Sequence, residues 1–111
     1  VNSEALKQLI ASCRRKDRRT LGFPRDWNPS RIRHPEIRDF YFTEAGAWEF
    51  IADQLQANHP FTEIVLDNPA GALALVMEVK VTPDDPLLYI KLQIGKGNMA
   101  IGRSFHYSDR Y

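Results

Sequence analysis

Apolar and polar residues alternate through the last quarter of the chain, from Leu88 to Ile94 and again after Met99. A period of two places Leu88, Ile90, Leu92 and Ile94 on one face, and Tyr89, Lys91 and Gln93 on the other. Between the two runs lies Gly95-Lys96-Gly97-Asn98, a turn sequence, so the segment reads as a β-hairpin. With Ile94 opposite Met99, the polar face also receives Ser104 and His106, beside Ala100 and Gly102. Two more strands precede the hairpin: Phe61–Asp67, a turn at Asn68-Pro69-Ala70-Gly71, then Ala72–Val81 and the connection Thr82–Pro86. Aligning their apolar residues sets Ile64 and Leu66 against Leu75 and Leu73, and Met77 and Val79 against Leu92 and Ile90. The same register puts Lys80 opposite Tyr89 and Glu78 opposite Lys91, the last an ordinary cross-strand ion pair.

The period lengthens upstream. Leu6, Leu9, Ile10 and Cys13 recur at helical spacing, with Ser3 placed to cap and Glu4 in the first turn. The spacing predicts a helix within residues 1–22, with a basic end and Gly22 as its stop. Residues 23–43 contain Pro24, Pro29 and Pro35 and read as a loop, pinned to the body by Trp27, Ile32 and Ile37. Thr43 is placed to cap a second helix over 44–58, whose buried stripe is Trp48, Ile51 and Leu55, with Ala47 and Ala52 beside it. The expected architecture is one α+β domain, residues 1–111. A four-stranded antiparallel meander over 61–108 is packed on one face by two helices.

Composition leaves this picture intact: 111 residues, 43% hydrophobic and 26% charged, suit a single soluble domain. No apolar run reaches the length of a membrane span, and no signal-peptide pattern opens the chain. The first residue is Val, which leaves open a longer parent protein. The single cysteine, Cys13, rules out an internal disulfide and fits a reducing cytosol, so the expected location is cytoplasmic. Charge changes the picture more. Residues 14–38 hold nine Lys/Arg against three acids, residues 39–85 nine acids against Lys80, and residues 86–111 four bases against Asp109. Such segregation gives a molecule one side suited to phosphate, with Arg14, Arg15, Lys16, Arg18 and Arg19 as its densest stretch. The alternative is that basic and acidic parts pair within the fold. His34, His59 and His106 lack a metal-ligand spacing, and there is no phosphate loop, dinucleotide fingerprint or nucleophile elbow. Neither metal nor cofactor is expected.

The residue types on the polar sheet face suit metal-free RNA cleavage, which needs a proton acceptor for the 2′-hydroxyl, a donor for the leaving oxygen and cations for the phosphorane. His106 and Glu49 are candidate acid/base groups, as is Tyr89 if its pKa is lowered. Lys91 and Arg103 are candidate phosphate ligands. Strict alternation puts Arg103 on the core side, and a bulge at Gly102 would return it to the polar one.

Leu88-Tyr-Ile-Lys-Leu-Gln-Ile94, with Ser104-Phe-His106, resembles the last two strands of the motility quorum-sensing regulator toxins, which are RelE-like messenger-RNA interferases. Asp39-Phe-Tyr41 and the helix bearing Trp48-Glu49 resemble that family's upstream landmarks. The resemblance implies a RelE-like α+β fold, endoribonuclease activity without a metal, RNA as substrate and a protein antitoxin as partner. It matches Tyr89 to an active-site tyrosine, His106 to a functional lysine and Glu49 to a functional glutamine. Phe42 stands where the family has a further lysine. The competing reading is a non-enzymatic protein-binding module of adaptor or immunity type, using the polar sheet face and the segregated charge. A domain that binds a small ligand or nucleic acid on that face without cutting is the third.

Overall fold

The structure, a computed structural model that describes residues 1–111, contains two helices, α1 (Ser3–Cys13) and α2 (Glu44–Gln56). It has five strands: β1 (Arg19–Trp27), β2 (Thr62–Asp67), β3 (Ala70–Val79), β4 (Leu88–Ile94) and β5 (Ala100–Tyr107). They form one mixed sheet in the order β1-β5-β4-β3-β2. The expected meander is present as β2 to β5, all antiparallel neighbours, and β1 lies parallel to β5 as a fifth, edge strand. No helix is long and apolar enough to cross a membrane.

The first helix is shorter than its basic tail suggests. Its apolar stripe ends at Cys13, and after a single turn at Lys16–Arg18 the chain becomes β1. Asn2, not Ser3, is the N-cap: its Oδ1 accepts from the Ala5 N–H at 2.7 Å. The region read as a loop from residue 23 is therefore strand as far as Trp27. Its ladder with β5 is interrupted between Leu21 and Asp26, where Pro24 lacks a donor, and an edge strand tolerates such a gap. Thr43 does cap α2, accepting from the Gly46 N–H at 2.9 Å.

Both helices pack on one sheet face. Leu9 and Cys13 of α1 and Trp48, Ile51 and Leu55 of α2 meet Leu75, Met77, Leu88, Ile90, Leu92 and Phe105 in a single buried cluster. Trp27 brings β1 into this layer, its ring centroid 5.0 Å from that of Trp48 and 5.4 Å from that of Phe105. Its indole N–H donates to both carboxylate oxygens of Glu44 at 3.1 and 3.2 Å. Gly102 makes this seat available, because a Cβ there would stand 2.7 Å from Trp27 and 2.8 Å from Leu21. Ile32 is buried as expected, whereas Ile37 is half exposed and does not pin the loop.

The registers differ from those read off the sequence, with consequences for the polar face. Met77 pairs with Ile90 and Leu75 with Leu92, so Glu78 faces Tyr89 and Val76 faces Lys91. The expected Glu78–Lys91 pair does not form; Glu78 Oε1 instead accepts from Arg110 Nη1 at 3.1 Å. In the outer pair Ile64 faces Ala74 and Val65 faces Leu73. The hairpin is offset by one residue at its turn, Ile94 opposite Ala100, which sends Ala100 and Gly102 to the helix side. A bulge between Gly102 and Ser104 then adds a residue to β5, so that Lys91 faces Ser104 and Tyr89 faces His106. The bulged residue is Arg103.

Candidate functional site

The sheet face opposite the helices carries most of the candidate residues. Along β4 and β5 two cross-strand pairs follow one another, Tyr89 with His106 and Lys91 with Ser104. β1 supplies a neighbour: Asp26 pairs with Ser104 across the parallel ladder. Pro24, Arg25, Asp26, Lys91, Arg103 and Ser104 enclose a depression of about 270 Å³. Tyr89 and His106 stand next to it, their rings stacked at 5.3 Å and inclined by 30°.

Arg103 is the floor of the depression. The bulge turns its side chain to the polar face, where it is 5% exposed. Its Nη1 donates to Gln93 Oε1 at 2.7 Å, Nε to the Pro24 carbonyl at 2.7 Å and Nη2 to the Asn68 carbonyl at 3.0 Å. The guanidinium thus ties together β4, β1 and the β2–β3 turn. All three acceptors are neutral, so its charge is held in a sparsely hydrated place without a counter-ion. Gly22 gives it room: a Cβ there would lie 3.1 Å from Arg103 Cδ. Lys91 stands above, half-buried, and takes part in none of the molecule's ion pairs. The depression therefore carries surplus positive charge from Lys91, Arg103 and Arg25, opposed by Asp26.

His106 is oriented by its backbone. Its Nδ1 lies 2.9 Å from the Tyr107 carbonyl oxygen, which can only accept, so Nδ1 carries the hydrogen. Nε2 lies 3.6 Å from Asp26 Oδ2. That carboxylate is itself steadied by the Asn28 side-chain amide. A proton taken up at Nε2 would find a negative charge waiting beside it. Tyr89 behaves differently from the expectation of a lowered pKa: burial, and then the nearby charge of Glu78, push its phenol above the ordinary tyrosine value. It is a neutral hydrogen-bond donor at physiological pH.

Of the five candidate catalytic residues, Tyr89, His106, Lys91 and Arg103 come together on this face. Glu49 does not: it lies on α2 in the helical layer, its Oε2 accepting from Arg14 Nη1 at 2.5 Å. The basic stretch is largely engaged within the fold. Arg14 also bonds Asp53 and Gln56, Arg15 pairs with Asp17, Arg18 donates to the Gly97 carbonyl, and Arg19 donates to the Cys13 carbonyl. Lys16 alone in that stretch is exposed and without a bonding partner. Sequence reasoning did not reach Asp26 or Arg25, because both fall in the proline-rich segment whose strand character depends on β5, far along the chain. His59 and His34 are structural: His59 Nε2 lies 2.9 Å from the Glu78 carbonyl, and His34 Nδ1 accepts from the Glu36 and Ile37 N–H groups. Burial pushes the Cys13 thiol up to about 12, which makes it a poor nucleophile.

Taken together, the fold and site define a small α+β domain with a helix-covered face and a cationic, acid/base-bearing open face. No protein-family model matches the chain, and neither the curated proteins nor the solved structures contain a match to it.

Proposed function

We propose that this protein is a metal-independent endoribonuclease of RelE-like toxin type, cutting RNA by attack of a 2′-hydroxyl. The observation that carries the reading is the adjacency of a depression with surplus positive charge and an oriented imidazole whose Nε2 faces a carboxylate. A phosphodiester seated over Arg103, with Lys91 and the Ser104 hydroxyl as donors, has its negative charge met on one side. His106 Nε2 takes the 2′-hydroxyl proton, and Asp26 stabilises the imidazolium that results. The O2′–P bond forms as the P–O5′ bond breaks. The imidazolium returns its proton to the departing 5′-oxygen, leaving a 2′,3′-cyclic phosphate and a free 5′-hydroxyl. Tyr89, held neutral, stacks against the imidazole and donates to a phosphoryl oxygen as charge accumulates there. Every group is mounted on a strand, which keeps the arrangement rigid.

The RelE-like kinship, RNA as substrate, a protein antitoxin as partner and a cytoplasmic place of action belong to the same proposal. They rest on the residues that resemble the toxin family together with this site. The test is expression of the chain in bacteria, with growth followed and messenger RNA mapped for new 5′ ends. Growth arrest with cut messages is expected, and His106→Ala is expected to abolish both. Normal growth with intact messages, or arrest that persists unchanged in His106→Ala, contradicts the assignment.

The non-enzymatic, protein-binding alternative draws on a different observation. The loop after β1 leaves Ile37, Phe40 and Tyr41 at least half exposed within five residues, the kind of apolar display a protein partner covers. Stoichiometric co-purification of a partner without any RNA cutting would favour it.

A further inference from the structure

The outer edge of β1 carries features that the catalytic reading leaves unused. Phe23 is 71% exposed on an otherwise polar edge. The Arg25 guanidinium lies over its ring, 4.4 Å from the centroid. Arg25 belongs to two depressions at once. One is the catalytic depression on the polar face. The other is a cleft of about 500 Å³ bounded by Lys16, Arg19, Thr20, Leu21, Arg25, Glu44 and Trp48. The edge strand is thus a ridge with a cationic hollow on either side and a guanidinium-capped aromatic at its crest.

Charge along this path is predominantly positive. Lys16, Arg19 and Arg25 line the cleft, Arg19 bonded only to the neutral Cys13 carbonyl, and Lys91 and Arg103 continue the cations beyond the ridge. Two carboxylates lie on the way, Glu44 bonded to the Trp27 indole and Asp26 bonded to Asn28 and facing His106, and the cations outnumber them. A flat ring flanked by spaced cations suits a polymer that alternates planar bases with phosphates, and suits an acidic peptide less, since the latter has nothing to stack. We infer that the β1 ridge is a binding track for single-stranded RNA, with one nucleobase stacked on Phe23 and Arg25 and flanking phosphates held by Lys16 and Arg19 on one side and Lys91 on the other. The inference deepens the ribonuclease reading and names the strand's path across the molecule.

The test separates binding from cutting. A short fluorescein-labelled 2′-O-methyl oligoribonucleotide lacks the attacking hydroxyl, so its affinity for the intact chain is read by anisotropy at stepped salt. Cleavage of the unmodified sequence is measured in parallel. Phe23→Ala is expected to weaken binding roughly tenfold. Arg25→Gln is expected to weaken it, and Lys16→Gln to flatten the salt slope by about one unit. Tyr111→Ala, which removes an equally exposed aromatic at the C-terminus, is expected to leave affinity unchanged. Wild-type affinity in both ridge variants overturns the track even if RNA is cut. So does competition by polyglutamate as strong as that by RNA, which would mark the ridge as a protein-binding surface. Loss of binding in the ridge variants with unmodified RNA left intact supports the track and overturns the nuclease reading alone.

Discussion

Cys13 and Arg103 illustrate how burial decides what a reactive side chain can do. The Cys13 thiol, at the end of α1, is fully buried, and burial outweighs the attraction of Arg19 and Arg14 in raising its pKa to about 12. The unfolded thiol ionises near 9.0, so the native state holds its proton over a range where the unfolded chain has lost it. The stabilisation is complete below that lower value and is lost as pH rises toward 12. Tyr89 and Tyr107, also raised, act in the same sense at higher pH. Stability measured by urea unfolding is expected to fall steeply from pH 9 upward, less so in Cys13→Ala, and the native thiol should resist an aromatic disulfide reagent until the protein unfolds. Arg103 is the opposite case, a charge kept buried by three hydrogen bonds. Arg103→Met removes all three and strands the Pro24 and Asn68 carbonyls, which is expected to cost about 2–4 kcal/mol in the same unfolding measurement. Its midpoint matching wild type would show that the guanidinium is not a structural tie.

At the scale of elements, β1 and the β5 bulge set the geometry, and they mark the boundary of what local patterning reveals. Helix α2 was legible from its cap and its Trp48-Ile51-Leu55 stripe, since both signals lie within the helix. The β4–β5 hairpin was legible because alternation and turn chemistry are local, and Tyr89, Lys91 and His106 fell on a common polar face accordingly. β1 was not legible. Its strand state depends on a parallel partner some eighty residues away, while its local sequence contains a proline and follows a basic run that extends a helical reading. Arg103 was legible only as a conditional: alternation sends it to the core, and the bulge that reverses this is a two-strand property. Offset and bulge cancel, which is why the polar-face residues were placed correctly by a register that was itself wrong. Gly102 connects these elements, lying beneath Trp27 and Leu21. Gly102→Ala is expected to displace Trp27, costing about 1–3 kcal/mol and shifting tryptophan fluorescence, because overpacking on a filled seat forces one neighbour out. An unshifted emission spectrum and unchanged stability would mean that β1 has slack the structure does not show.

Across the whole molecule the division of labour is by sheet face. One side is closed by α1 and α2 and carries the apolar cluster that holds the fold. The other is free of helices and gathers Tyr89, His106, Lys91, Ser104, Arg103 and Asp26 from three strands. A net charge of only +1 conceals this arrangement, since much of the acidic surplus lies in α2 and at the β2–β3 side, where Glu49 and Asp53 bind Arg14. What remains for a phosphate is local, a depression whose buried cation, Arg103, forms no ion pair. On the proposed mechanism, this depression and His106 together cut RNA through the 2′-hydroxyl without a metal. The most direct measurement is incubation of the purified chain with a defined RNA in the presence of EDTA, followed by analysis of the product ends. The expected result is fragments bearing 2′,3′-cyclic phosphate and 5′-hydroxyl ends, no cutting of the all-2′-O-methyl RNA, loss of at least a hundredfold in rate in His106→Ala, and a smaller loss in Tyr89→Phe. Intact RNA under these conditions, or cutting that His106→Ala leaves unchanged, would contradict it.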